Sequence, residues 1–191
     1  MQELSMHILD IVQNSLTAGA TRVEIKIGEV LAEDLLMIKV RDNGRGISQE
    51  VLSRVMDPFF TSRTTREVGL GLALFKEATE RTGGYLEVHS EEGKGTWVLA
   101  CFHLNHFDRA PLGDMGETLG VLISGNPEVD FFYEHRVDGQ IYLLDTREMR
   151  EILGPVGLDD PSVLDFVRQD IQIGLKKIGA ATFPQVMEVL R

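Results

Sequence analysis

DIVQNSLTAGA (Asp10–Ala20) and DNGRG (Asp42–Gly46), followed by GLGLAL (Gly69–Leu74) and GKGT (Gly93–Thr96), stand in that order in the first half of the chain. Each is weak by itself, since Asp-Asn-Gly alone reads as a turn and a GxG before a helix is common. Their order and spacing carry the reading. Residues 3–18 read as a helix, with Leu4, Ile8, Ile11 and Val12 at helical spacing and Gly19 as the stop. A polar stripe of Glu3, His7, Asp10, Asn14 and Thr17 runs beside that apolar surface. It contains neither Lys nor Arg, so it suits a wet cavity better than a solvated face. TRVEIKIG and LLMIKVRD alternate as strands, joined by a turn near Glu29–Asp34. Asp42 shares parity with Leu36, Ile38 and Val40, which turns its carboxylate toward the core side, where it needs a donor.

A short helix starts near Ser48. Pro58, the Thr61–Arg66 run, Gly69 and Gly71 then predict a mobile loop leading into a helix from about Leu70 to Thr82, ended by Gly83-Gly84. Glycines at a helix start let an anion approach free amides and the positive end of the dipole. YLEVHS and TWVLACFHL form a hairpin through EEGKG. Thr96 has the parity of Val98, Ala100 and Phe102, so its hydroxyl faces inward beside Asp42 or simply lines the core. From Asn105 the character changes: a helix (about Met115–Ser124), a hairpin about Asp138-Gly139, a helix (Arg147–Leu153) and a last helix (Pro161–Ile178). His103, His106 and His135 are too isolated for a metal site, and no catalytic constellation stands out in this half.

The chain has 191 residues, 43% hydrophobic and 26% charged, an ordinary globular composition with room for a real core. One cysteine, Cys101, excludes an intrachain disulfide and fits a reducing compartment. No apolar run approaches the ~20 residues of a membrane span, and the start lacks a signal peptide's features. The expected location is therefore cytoplasmic, without a membrane partner. A formal charge of −11, about −4 before residue 105 and −7 after it, argues against nucleic acid as a partner.

Residues 3–104 resemble the ATP-binding domain of the GHKL superfamily, which joins histidine kinases, gyrase-type topoisomerases, Hsp90-type chaperones and MutL-type ATPases. DIVQNSLTAGATRVEI is most similar to the first helix and strand of MutL. DPFFTSR, GLGLALFKEATERTGGYLEV and SEEGKGTW are similar to a histidine kinase catalytic domain. The resemblance implies a Bergerat-type α/β fold: an α+β sandwich with a mixed, mostly antiparallel sheet and helices on one face. Residues 1–104 would form that domain, and 105–191 an α+β extension that could complete the same sheet, since a strand hairpin normally precedes the Asn helix in kinases. It implies ATP and Mg2+ as cofactors. Asn14 would give the metal its side-chain oxygen, consistent with the preference of Mg2+ for hard oxygen ligands. Asp42 would accept the adenine amino hydrogen, backed through water by Thr96. Gly44, Gly46 and Ile47 would border base and sugar, and Gly69, Leu70, Gly71 and Leu72 the phosphates. Thr61, Ser62 and Arg63 lie in the loop that closes over nucleotide, where the Arg63 guanidinium could stabilise charge on the transferred group. Asp10, one turn before Asn14, matches the glutamate of the hydrolytic branches; it acts as a base or only orders waters about the metal.

The kinase pattern is departed from where Thr17-Ala18-Gly19 replaces the usual lysine and aromatic. The chain also starts almost at the Asn helix, without a phosphoacceptor helix before it. The expected function is phosphoryl transfer in trans to a separate acceptor protein, with little autophosphorylation. The alternative is an ATP-driven switch or slow ATPase regulating a partner.

Overall fold

In the computed structural model, residues 3–48, 50–52 and 71–180 are described. Helix α1 (Leu4–Thr17) leads into strands β1 (Arg22–Val30) and β2 (Leu35–Asp42). Helix α2 (Gly71–Glu80) precedes the hairpin β3 (Tyr85–Glu91) and β4 (Gly95–His103). Then come α3 (Met115–Gly125), the hairpin β5 (Asp130–Val137) and β6 (Gln140–Asp145), α4 (Thr146–Leu153) and α5 (Pro161–Ile178). The strands form one sheet in the order β3-β4-β2-β1-β5-β6. Every neighbouring pair is antiparallel except β1 and β5, which run parallel with Arg22–Glu29 against Asp130–Val137. The mixed, mostly antiparallel sheet expected from the sequence is present.

Alternation decides which face is covered. Val23, Ile25 and Ile27 of β1, Leu36, Ile38 and Val40 of β2, and Val98, Ala100 and Phe102 of β4 all point inward. They share one buried cluster with Leu4, Ile8, Ile11 and Val12 of α1 and with Leu72 and Phe75 of α2. Toward the other edge of the sheet, Phe131 and Tyr133 of β5 join Val163, Val167 and Ile171 of α5 in the same cluster. Helix α5 has strong local signals: Asp160 caps Ser162 N at 2.8 Å, Pro161 opens the first turn, and Gly179 closes it at φ +73°.

The turn expected near Glu29–Asp34 is shorter than its residues imply. Glu29 is a buried strand residue whose carboxylate lies 2.7 Å from His135 Nε2, and His135 Nδ1 lies 2.9 Å from the Tyr133 hydroxyl. Strand β1 runs on to Val30 because β5 supplies both a ladder partner and a partner for this acid. The reversal is made by the 3-10 turn Leu31–Glu33 and Asp34 at φ +52°. The start of α1 is tied to the second half of the chain: Leu4 N and Ser5 N donate to the Pro111 and Leu112 carbonyls at 2.9 and 2.8 Å. Among the described residues no helix is long and apolar enough to cross a membrane.

Candidate functional site

Strand β2 ends on Asp42, and its carboxylate is buried as parity requires. Three donors hold it. Ser15 Oγ, from α1, donates to Oδ2 at 2.7 Å; Gly44 N and Thr96 N donate to Oδ1 at 2.9 and 3.2 Å. An ionised carboxylate accepts on both oxygens at about two sites each. Oδ1 is filled, and the remaining capacity lies on Oδ2.

The loop after Asp42 is stitched on three sides. Asn43 Oδ1 accepts from Thr21 N and Arg22 N, both at 2.9 Å, and Arg45 N donates to the Ala18 carbonyl at 3.0 Å. Ile47 N donates to Ser90 Oγ at 2.8 Å, and that hydroxyl also lies 2.7 Å from Thr96 Oγ1. Thr96 therefore reaches Asp42 by its backbone amide, while its hydroxyl is engaged with Ser90. Gly46, at φ +69°, passes so close to the next hairpin that a Cβ there would strike the Glu91 carbonyl. Gly95, at φ +97°, has the same relation to the Asp42 carbonyl. A Cβ on Gly44 would crowd Ala18 and the Asp42 carboxylate itself, at 3.0–3.1 Å.

Asp10 and Asn14 lie one turn apart on α1, half-buried, and neither side chain has a hydrogen bond or ion pair among the described residues. Asp10 abuts the start of α2: a Cβ on Gly71 would sit 3.1 Å from its Oδ2. Leu72 points into the core, so only its backbone is placed to meet a ligand. Thr61, Ser62, Arg63, Gly69 and Leu70 lie outside the described residues. His7, at the head of the polar stripe, is not cavity lining. It is buried and stacked on Phe75 with ring centroids 4.8 Å apart, its Nδ1 has no partner, and burial pushes its pKa down to about 4.

Ser15 and Ser90 were given no role in the sequence reading, yet Ser15 holds the carboxylate and Ser90 holds its loop. Ser15 follows Ile11 by one turn, on the buried side of α1, and Ser90 shares parity with Leu86 and Val88. A serine on an inward face must find a partner, and that is the signal.

A helix bearing Asp10 and Asn14, a buried carboxylate at a strand end and a glycine-bearing helix start thus stand on one mixed, mostly antiparallel α/β fold. The chain belongs to the family of histidine kinase-, DNA gyrase B- and HSP90-like ATPases, whose model matches residues 2–106. The non-motile and phage-resistance protein of Caulobacter vibrioides is 37% identical over 97 residues, 48% of this chain and 12% of that protein. The probable C4-dicarboxylate sensor kinase of Halalkalibacterium halodurans is 36% identical over 100 residues, 49% of this chain and 18% of that protein. The chain thus spans less than a fifth of the length of these relatives. The N-terminal domain of a DNA repair protein has a similar fold, with a TM-score of 0.52 at 18% identity over 76% of this chain and 53% of that one.

Proposed function

We propose that the pocket binds Mg-ATP and that the chain is a histidine kinase-type catalytic unit, transferring the γ-phosphoryl group to a separate acceptor protein. The observation that carries the nucleotide reading is the Asp42 carboxylate, fixed by three donors and still able to accept one more hydrogen on Oδ2. That acceptor suits an exocyclic amino group, and Gly44 and Gly46 leave the base room beside it. Asn14 offers a neutral amide oxygen, without a partner among the described residues, to a hard cation. The bound metal would supply neutralisation of phosphate charge. Gly71 at the start of α2 lets main-chain amides and the helix dipole face an anion. Arg63 would complete the charge stabilisation of the transferred group. The kinase reading rests on likeness to sensor kinases over half of the chain.

One observation favours a second reading, an ATP-dependent switch or slow ATPase. Asp10 is a carboxylate beside Gly71, without a partner among the described residues, a position from which it could take a proton from water. Incubation of the full chain with γ-labelled ATP, Mg2+ and cell extract separates the two. Label on an added protein supports transfer, and free phosphate alone supports hydrolysis. A melting temperature indifferent to saturating Mg-ATP overturns both; occupancy at ~100 times the dissociation constant stabilises by about 2.7 kcal/mol.

A further inference from the structure

The strand residues that alternate with the buried ones form a second face of the sheet, set by the ladder register. Across the middle run Leu99, Lys39, Lys26, Glu134 and Leu143, each paired with the next. The adjacent row holds His89, Trp97, Arg41, Glu24 and Phe132. Lys26 and Lys39 are therefore directly opposed like charges, an arrangement that costs stability. Each ammonium is drawn away onto a ring: Lys39 Nζ lies 4.8 Å from the Trp97 centroid, Lys26 Nζ 5.4 Å from that of Phe132. Between them opens a depression of about 90 Å³ lined by Glu24, Lys26, Lys39 and Arg41. Of the acids on this face, Glu24 pairs with Arg22 at 3.1 Å and Glu134 with Arg136 at 2.5 Å, Glu134 also feels the charge of Lys26, and Glu87 stands at the end of the row beside Leu99. Lys26, Lys39 and Arg41 have no carboxylate within ion-pair distance among the described residues.

We propose that this open face docks an acidic, partly apolar polypeptide segment of a partner protein, its carboxylates set over Lys26, Lys39 and Arg41. Charge complementarity selects that occupant. A second copy docked with its two-fold axis through the cluster would oppose the same three cations to themselves. A nucleic acid would meet a chain of formal charge −11 with only a short cationic cluster, whereas phosphate backbones need an extended track. The apolar neighbours Trp97, Leu99 and Leu143 suit side chains that alternate with acidic ones along a polypeptide. The surface lies on the side of the sheet opposite the helices and is independent of the nucleotide reading.

Trp97, the only tryptophan, reports on this face directly. A short soluble peptide alternating Glu and Leu, titrated into the full chain, is expected to shift its emission and to bind more weakly as salt rises. Lys26→Glu with Lys39→Glu should weaken that binding at least tenfold, and Lys26→Gln with Lys39→Gln by a smaller factor. Lys176→Glu with Lys177→Glu, on α5, should leave it unchanged. Any Mg-ATP-induced melting shift should survive in the sheet variants. The proposal is overturned if the peptide does not bind, if the Lys26/Lys39 variants bind it as the wild type does, or if a single-stranded oligonucleotide or phosphatidylserine vesicle binds more tightly than the peptide.

Discussion

Asp42→Asn is the sharpest perturbation of the pocket because it changes one atom and leaves the frame in place. Gly44 N and Thr96 N point at Oδ1, so the amide of an asparagine must keep its oxygen there and turn its NH2 to the former Oδ2 position. Ser15 tolerates this. Its hydroxyl can accept from the new NH2 while donating to the Ile11 carbonyl, already 3.2 Å away. The fold should hold, with melting in the absence of nucleotide within a few degrees of wild type. Binding should not. Oδ2 has the remaining capacity for an exocyclic amino donor, and the variant would present a donor to a donor. Loss of a hydrogen bond to a charged group is worth about 1.5–3 kcal/mol, and the donor–donor contact adds to it. Affinity for ATP and ADP should therefore fall by at least tenfold, and by roughly 150-fold at the upper end of that range. Isothermal titration with both nucleotides measures this, with GTP as a comparison. Unchanged affinity in a folded Asp42→Asn variant would refute the assignment of Asp42 as the base-reading acceptor.

Asp10→Asn should keep ATP affinity near wild type while turnover drops by about 100-fold if Asp10 is a general base; affinity and turnover falling together would assign it to the metal's surroundings instead. His7 has its pKa lowered to about 4, so the unfolded chain takes up this proton first as pH falls. Stability is predicted to be lost progressively between about pH 6.5 and 4, by about 3 kcal/mol from this group alone. His7→Phe, which retains the stack on Phe75, should flatten that part of the pH profile in urea unfolding. A chain ended at Leu104 would bare the β1 edge and the first turn of α1, and should be insoluble or unable to bind ATP; a soluble fragment with undiminished affinity would establish residues 105–191 as an independent unit.

Parity along β2 was sufficient to turn Asp42 inward, and the need of a buried carboxylate for donors was met by Ser15, Gly44 and Thr96. Pattern told the face but not the neighbour. Thr96 read as inward, either beside Asp42 or lining the core; it lies beside Asp42, yet only its amide reaches the carboxylate, because Ser90 occupies its hydroxyl. Glu29 read as a turn residue because a lone acid after Ile27-Gly28 has no local reason to be buried. Its reason is His135, far away in sequence. The parallel β1–β5 pairing is of the same kind, since alternation in Asp130–Val137 marks a strand without naming the edge it joins. Helix α5, whose signals are local, was legible to the residue, and the capped helices α3 and α4 to within one.

The β1–β5 seam also sets an order of events during synthesis. Glu29 is made 106 residues before His135, the group that accommodates its buried acid. At about 5–20 residues per second, β1 waits on the order of 5–20 s for its parallel neighbour after leaving the peptidyl-transfer centre. Throughout that interval the motif-bearing half has an unpaired strand edge and a carboxylate with no place to go. Such an edge invites pairing with other nascent chains. The expected consequence of storing the neighbour of β1 so late in the message is a yield that falls when translation is paused between β4 and β5.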